Sequence, residues 1–359
     1  MSHVTPLSPG AAIGILGGGQ LGRMLAMAGA QLGFDIHVFD PEPNCPAARV
    51  CDRAWAAPWD DLGAVQAFAA RCAAVTFEFE NVPLAALNAA ASAAPVRPGA
   101  RSLELTQDRV TEKAFINGLG IPTAPWAAVD SLASLKTALE RVGAPSILKT
   151  RRFGYDGKGQ SRLKSPSDAE AAWDEIGGQP AILEGFAPFR RELSVVAARA
   201  LDGTVLPFPL AENVHRGGIL RESIAPADAG DAIRDQAIAI AEKIGAGLEH
   251  VGVFAVELFD MGEQGLWVNE IAPRVHNSGH WTMDACPAGQ FEQHMRAVAG
   301  WPLGDARPHS RCTMSNLIGA DVDAWKELIA DPEVRLHLYG KREVRDGRKM
   351  GHVNRLKKL

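Results

Sequence analysis

Two acidic residues, Glu257 and Glu270, each interrupt an otherwise apolar run: Val253-Phe-Ala-Val-Glu257-Leu-Phe259 and Leu266-Trp-Val-Asn269-Glu270-Ile271. A hairpin centred near residues 263 and 264 sets them roughly opposite each other on paired strands. Facing carboxylates repel, and burial makes that repulsion costly. A hard divalent cation resolves it. Mg2+ takes one or two carboxylates and completes its shell with phosphate oxygens, as in phosphoryl-transfer sites. Asn269 could add a neutral oxygen. The alternative is a pair of acids on the solvent face of an edge hairpin, against which the apolar flanks argue. Arg274 and His276 follow at once, in Ala272-Pro-Arg274-Val-His276-Asn277-Ser278-Gly-His280-Trp281. Arg274 could grip an oxyanion with two parallel hydrogen bonds, and His276 could donate to one or carry a proton. A polar loop capping a helix is the plainer reading of the same residues.

A phosphate-handling segment lies upstream. Thr150-Arg151-Arg152-Phe153-Gly154-Tyr155-Asp156-Gly157-Lys158-Gly159-Gln160 interleaves glycines with cations between two strand-like runs. Such a loop can fold over a triphosphate, offering backbone donors and positive charge. It lacks the spacing of a Walker A loop. Lys149, at the end of the preceding strand, could point an ammonium at the same phosphates. Ile182-Leu-Glu184-Gly185-Phe186-Ala187, with Glu192 opening the next strand, has the makings of an adenosine cleft: strand-edge backbone for the base and an acid for the ribose. Near the start, Gly17-x-Gly19-x-x-Gly22 follows a strand and opens a helix, with Asp40 further on. This is the outline of a dinucleotide fingerprint, which equally serves another phosphate or a tight turn alone.

These residues need scaffolds. Apolar runs at 11–16, 36–39 and 75–79, with a helical pattern over 20–32, predict a parallel sheet with helices on its faces, ending near residue 100. Strands are expected at 146–150, 160–164, 181–184, 192–199, 205–208, 251–259 and 266–271. The Asp202-Gly203 pair signals a hairpin turn, and a helix is expected over 226–245. That pattern is α+β with antiparallel sheets. From about residue 300 come an apolar run at 313–318, a helix near 324–329 and a basic end.

At 359 residues the chain has room for two or three domains, and a hydrophobic content of 47% suffices for packed cores. A net charge of −5 gives no basic field for coating nucleic acid. Five cysteines without a CxxC pair speak against a zinc site or a disulfide framework, and so for a reducing, cytoplasmic setting. No signal peptide or membrane span is expected.

Taken together, the residues resemble the ATP-grasp superfamily, in which two α+β subdomains clamp ATP between antiparallel sheets. Gly19-Gln20-Leu21-Gly22-Arg23-Met24, Lys149 with Gly154 to Gln160, Asn269 to Thr282, and Arg348-Lys349-Met350-Gly351-His352 are similar to the 5-(carboxyamino)imidazole ribonucleotide synthase family along nearly the whole chain. The resemblance implies an α/β and α+β architecture. A Rossmann-like, biotin-carboxylase-like domain would occupy residues 1–103, an ATP-grasp domain 104–299 and a small C-terminal domain 300–359. It implies a cytoplasmic homodimer using ATP and Mg2+, with Mn2+ as a substitute, to carboxylate 5-aminoimidazole ribonucleotide with bicarbonate. Residue by residue, it implies that Arg109, Lys149 and the loop Gly154, Tyr155, Asp156, Gly157, Lys158, Gly159 and Gln160 contact ATP phosphates. Glu184, Gly185, Phe186 and Ala187 would hold adenine and Glu192 the ribose. His215 would line the cleft, as would Asn269, and Glu257 and Glu270 would bind the metal. Gln20, Leu21, Glu80 and Asn277 would approach the ribonucleotide, with Lys349 and Arg355 at its 5′-phosphate.

On this reading Arg274 and His276 hold bicarbonate while Tyr155 and Asp156 wall the amine side. Rival readings are another ATP-grasp ligase using formate or biotin, an NAD-linked oxidoreductase resting on the glycine fingerprint, and a non-catalytic nucleotide sensor.

Overall fold

The computed structural model describes residues 5–154 and 159–359, so the roles expected of Tyr155, Asp156, Gly157 and Lys158 lie outside the described residues. The first hundred residues form the expected parallel sheet. Strands β1 (Ala12–Leu16), β2 (Asp35–Phe39), β3 (Arg53–Trp55) and β4 (Ala74–Phe77) stand in the order β3-β2-β1-β4. Helices α1 (Gln20–Gln31), α2 (Leu62–Ala69) and α3 (Leu84–Ala91) link or follow them. Residues 13–16 of β1 and all of β4 are buried, as strands covered on both faces must be. Helix α4 (Ala100–Thr106) then leads to α5 (Arg109–Gly118), which Asp108 caps by accepting from the Val110 and Thr111 amides.

A small antiparallel sheet follows. Its strands β5 (Trp126–Val129), β6 (Ser146–Thr150), β7 (Gln160–Leu163) and β8 (Ala181–Gly185) run in the order β5-β8-β6-β7. With α6 (Leu132–Val142) and α7 (Ala169–Glu175) they enclose a core of their own around Leu135, Leu139, Leu148 and Leu183.

The remaining strands join one large sheet. They are β9 (Arg191–Arg199), β10 (Val205–Pro207), β11 (Ala211–Arg216), β12 (Ile219–Ala225), β13 (Gly252–Asp260), β14 (Leu266–Ala272), β15 (Ser310–Ile318), β16 (Val334–Leu338) and β17 (Lys349–Lys358). Their order is β14-β13-β9-β11-β12-β15-β17-β16, with β10 beside β9. The segment expected as a C-terminal unit thus continues the central sheet through the β12–β15 pairing. Helix α8 (Asp231–Gly247) starts later than the expected Pro226, because the Ala227 amide donates instead to the Leu210 carbonyl. It covers one sheet face by packing on Val195, Val256, Leu258 and Val268.

After the short α9 (Thr282–Ala285), α10 (Gln290–Ala299) ties the parallel sheet to the large one. Met24, Leu25 and Ile36 share a single cluster with Phe291, Met295, Ala198 and Val253. At Gly29 an added Cβ would stand 2.5 Å from Ile36 Cδ1 and 2.7 Å from Met295 Cε, so a side chain there would push those two chain ends aside. Among the described residues no helix is long and apolar enough to cross a membrane.

His250, His280, His294 and His352 are fully buried. Burial lowers the pKa of all four, to about 3 for His250 and His294. The folded protein therefore keeps them neutral, whereas the unfolded chain protonates them near pH 6.5. Stability is complete above that pH and falls below it, by ~2 kcal/mol per histidine at pH 5. The urea midpoint should drop steeply between pH 6.5 and 5; a flat midpoint would contradict neutral burial.

Candidate functional site

The expected pairing is present: Glu257 on β13 faces Glu270 on β14 as its direct cross-strand partner. The register slips immediately after, Leu258 pairing with Val268, so Asn269 is the extra residue of a bulge. Burial and the charge of Glu270 push Glu257 up to about 7. Burial acts on Glu270 in the same direction, but Arg109, whose Nη1 lies 2.9 Å from its Oε2, outweighs it and lowers its pKa. The site thus tolerates one full negative charge and resists the second. The side-chain oxygen of Asn269 is buried there without a partner. Two carboxylates and an amide oxygen are hard donors, and they fit Mg2+ or Mn2+. Among the described residues no group of three or more His, Cys, Asp or Glu could hold a metal.

Around this pair the polar face of the large sheet gathers the other residues. His276 Nε2 is 3.3 Å from Glu257 Oε1. Its Nδ1 meets the Ser278 hydroxyl at 2.9 Å and accepts from the Ser278 amide, and Ser194 in turn donates to Ser278 Oγ. With Nδ1 an acceptor, the ring hydrogen sits on Nε2. Burial and the nearby Arg274 lower its pKa to about 3. Gln290 brackets the His276 backbone, accepting from its N–H at 2.9 Å and donating to its carbonyl at 2.8 Å. Arg274 forms a part-buried ion pair with Glu80 of the N-terminal domain, which overcomes the effect of burial and brings Glu80 to about 2. Gln107 fastens the Glu80 segment by donating to the Glu80 and Val82 carbonyls.

Helix α5 and the small sheet supply the cations. Lys149 Nζ lies 3.0 Å from Glu184 Oε2, and Lys113 Nζ lies 3.5 Å from the same oxygen. Burial would raise the Glu184 pKa, but Lys113, Lys149 and Arg109 bring it to about 2. The other oxygen, Oε1, is buried without a partner. Arg109 also reaches the Gly154 carbonyl at 3.4 Å, while the Gly159 carbonyl accepts from Thr150 and Gln160 pairs with Lys149. His215 Nδ1 makes an ionic contact of 2.9 Å with Glu192, and burial is outweighed there by that acid, so its pKa rises. The charge of Lys349 acts on His215, Glu257 and His276.

Several expectations need correction. The amides of Gly185 and Phe186 already donate to the Pro125 and Pro145 carbonyls, so those N–H groups are not open to a base edge. Leu21 is packed into the shared core, which leaves only its backbone to approach a ligand, whereas Gln20 at the start of α1 is partly exposed. The Asn277 amide is paired reciprocally with Asn316, at 3.0 and 2.6 Å. Arg355 is not brought to the site. It pairs with Thr313 and Val334 on the face of β17 that packs Val353 against Val334 and Leu317, away from His352 and Asn316.

The glycine fingerprint is filled from within. Glu78 accepts from the Gly19 and Gly22 amides, both at 2.6 Å, and Asp40 accepts from the Gly18 amide at 2.7 Å. Gly17, at φ 102°, makes the turn that brings these groups together. Carboxylates of the protein thus occupy the anion position at the N-terminus of α1, where a dinucleotide would place its pyrophosphate. Sequence reasoning missed Glu78, Glu112, Lys113 and Gln290. Arg109, Glu112 and Lys113 stand at i, i+3 and i+4 after the capping Asp108, a helical stripe that could have been read.

The first third of the chain matches the ribonucleotide synthetase preATP-grasp domain (residues 11–107), the centre the ATP-grasp domain (114–291) and the end the phosphoribosylaminoimidazole carboxylase C-terminal domain (312–358). The N5-carboxyaminoimidazole ribonucleotide synthase of Brucella melitensis is 51% identical, with 98% of each chain covered. That of Pseudomonas aeruginosa is 45% identical over 95% of this chain and 93% of its own. A crystal structure of an N5-carboxyaminoimidazole ribonucleotide synthetase with ADP is 42% identical, superposes with a TM-score of 0.95 and covers 98% of this chain and 94% of that one. An Aspergillus clavatus N5-carboxyaminoimidazole synthase with ADP and 5-aminoimidazole ribonucleotide is 31% identical, with a TM-score of 0.92 and coverage of 98% and 94%.

Replacing Glu78 by Ala removes the acceptor of the buried Gly22 amide and the part-buried Gly19 amide and should cost ~2–4 kcal/mol of unfolding free energy. Urea titration measures this; an unchanged midpoint would mean the turn does not need its internal anion.

Proposed function

The chain belongs to the N5-carboxyaminoimidazole ribonucleotide synthase family of ATP-grasp ligases, and from that membership we propose how its own residues divide the work. It is an ATP-dependent ligase that carboxylates 5-aminoimidazole ribonucleotide in purine biosynthesis. The observation that carries the residue-level reading is the partly buried Glu257–Glu270 pair, with Arg109 on Glu270 and the charge of Lys149 acting on the same acid.

Glu257, Glu270 and the Asn269 oxygen would hold Mg2+ or Mn2+ together with nucleotide phosphate oxygens. Bound there, the ion would neutralise charge on the transferring phosphoryl group. Arg109 and Lys149 lie beside this position and would draw the β- and γ-phosphates toward it, and Gly154, Gly159 and Gln160 would add contacts to the same phosphates. Glu184 and the segment to Ala187 would meet adenine, and Glu192 with His215 the ribose. Bicarbonate is the proposed carboxyl donor. One of its oxygens attacks the γ-phosphorus, the bond to ADP breaks, and carboxyphosphate results. Loss of inorganic phosphate leaves carbon dioxide beside the amine, which adds to carbon and releases a proton.

Arg274 would grip the bicarbonate oxyanion, and its ion pair with Glu80 fixes its direction from the ribonucleotide side. His276, neutral with its hydrogen on Nε2, serves as a donor to the developing oxyanion. Gln20, Glu80 and Lys349 would contact the ribonucleotide, with Tyr155 and Asp156 walling the amine. Three domains at 1–103, 104–299 and 300–359 remain our division of the chain, and a cytoplasmic homodimer our assignment of its state. The former accords with the matched segments, and five free cysteines suit a reducing compartment.

In a coupled assay, ADP release should require 5-aminoimidazole ribonucleotide and rise with bicarbonate but not with formate; equal release with formate would overturn the donor. His276→Ala should lower kcat about 100-fold, as expected for loss of a single oxyanion donor, with KM for ATP changed less than about twofold. An unchanged kcat would remove His276 from the chemistry.

A further inference from the structure

Helix α5 holds the strand that carries Glu270 at three successive points. Arg109 takes the Glu270 carboxylate. Glu112 accepts from the Ile271 amide at 2.6 Å, and Lys113 donates to the Asn269 carbonyl at 2.7 Å. Strand β14 is the outermost strand of its sheet, and among the described residues only the Thr123 bridge to Val268 pairs with its outer edge as a strand would. The side chains of Glu112 and Lys113 supply partners to the backbone on either side of Glu270. Lys113 also stands 3.5 Å from Glu184 on β8, in the other sheet, and both side chains are almost wholly buried. A buried ammonium there must be matched by acceptors, and it has one on each sheet.

We propose that Lys113 and Glu112 are positioning residues that fix the spacing between the base end and the metal end of the bound nucleotide. Lys113 bridges the two sheets: Glu184 lies on one side and the backbone of Asn269 on the other. Glu112 sets the height of Glu270 along the strand. Neither residue needs to touch ATP. Their effect is to present two half-sites at the separation that one ATP molecule spans, so that the binding energies of the halves combine. The inference rests on the nucleotide placement proposed above.

The test compares a whole ligand with its halves. In full-length Lys113→Met, which retains the side-chain length, KM for MgATP should rise at least tenfold. Inhibition constants of adenosine and of magnesium tripolyphosphate, each occupying one half-site, should move less than twofold. Glu112→Leu should raise the Mg2+ concentration for half activation at least fivefold, and Glu112→Gln, which keeps an acceptor for Ile271, should recover most of that loss. A KM for MgATP within twofold of the unsubstituted protein in both Lys113→Met and Glu112→Leu overturns the bracket. So does a parallel weakening of both half-ligands, which marks a general structural role. Glu270→Gln is measured alongside. If it is impaired while Lys113→Met is not, only the bracket fails; if it too binds MgATP normally, the nucleotide placement fails and takes the bracket with it. Should Lys113→Met not fold, the Glu112 pair decides the question alone.

Discussion

Repulsion between Glu257 and Glu270 is the constraint around which the site is arranged. The strand register places the two carboxylates side by side in a partly buried position, where water screens them only in part. A protein can answer this by protonating one acid, by adding cations or by recruiting an ion. This chain uses the second answer in part: Arg109 settles Glu270 and leaves Glu257 poised. The unanswered remainder makes the face attractive to a divalent ion and the phosphates it carries. Cations in turn need anions when the site is empty. The chain provides them in Glu184 for Lys149 and Lys113, and in Glu80 for Arg274.

The same logic explains the N-terminal domain. A glycine-rich turn opening a helix offers amides to any anion, and here the anions are Glu78 and Asp40. The turn becomes a rigid wall instead of a cofactor cradle. Glu80, two residues beyond Glu78, reaches across to Arg274, so the rigidity of the turn bears on the ligand cleft.

What could be read beforehand follows the range of the forces involved. The acid pair was legible because hairpin pairing is arithmetic and the flanking residues are apolar. The connection between β6 and β7 was legible because glycine and cations alternate over a short span between two strand-like runs. Glu112 and Lys113 of helix α5 went unread, although their stripe is local, because their partners are backbone groups, one donor and one acceptor, on a strand about 160 residues away. Asn277 was legible as a polar residue near the site, but its reciprocal partner Asn316 belongs to a different strand. The placement of Arg355 failed for a reason of parity. Lys349 and Arg355 are six apart and would share a face in a regular strand. The register shift that pairs Lys349 with Ile318 but Gly351 with Leu317 inserts one residue and turns Arg355 to the other side.

The hydrophobic clusters also divide the molecule mechanically. Parallel sheet, large sheet and α10 share one apolar interior, so none of them can shift without tearing it. The small sheet keeps its interior to itself and meets the rest through polar ties such as Lys113 to Glu184 and Arg151 to Asp108. Tilting the small sheet would therefore strain polar ties and leave its own core whole, like moving the cover of a box, whereas parting the two larger sheets would expose the apolar interior they share.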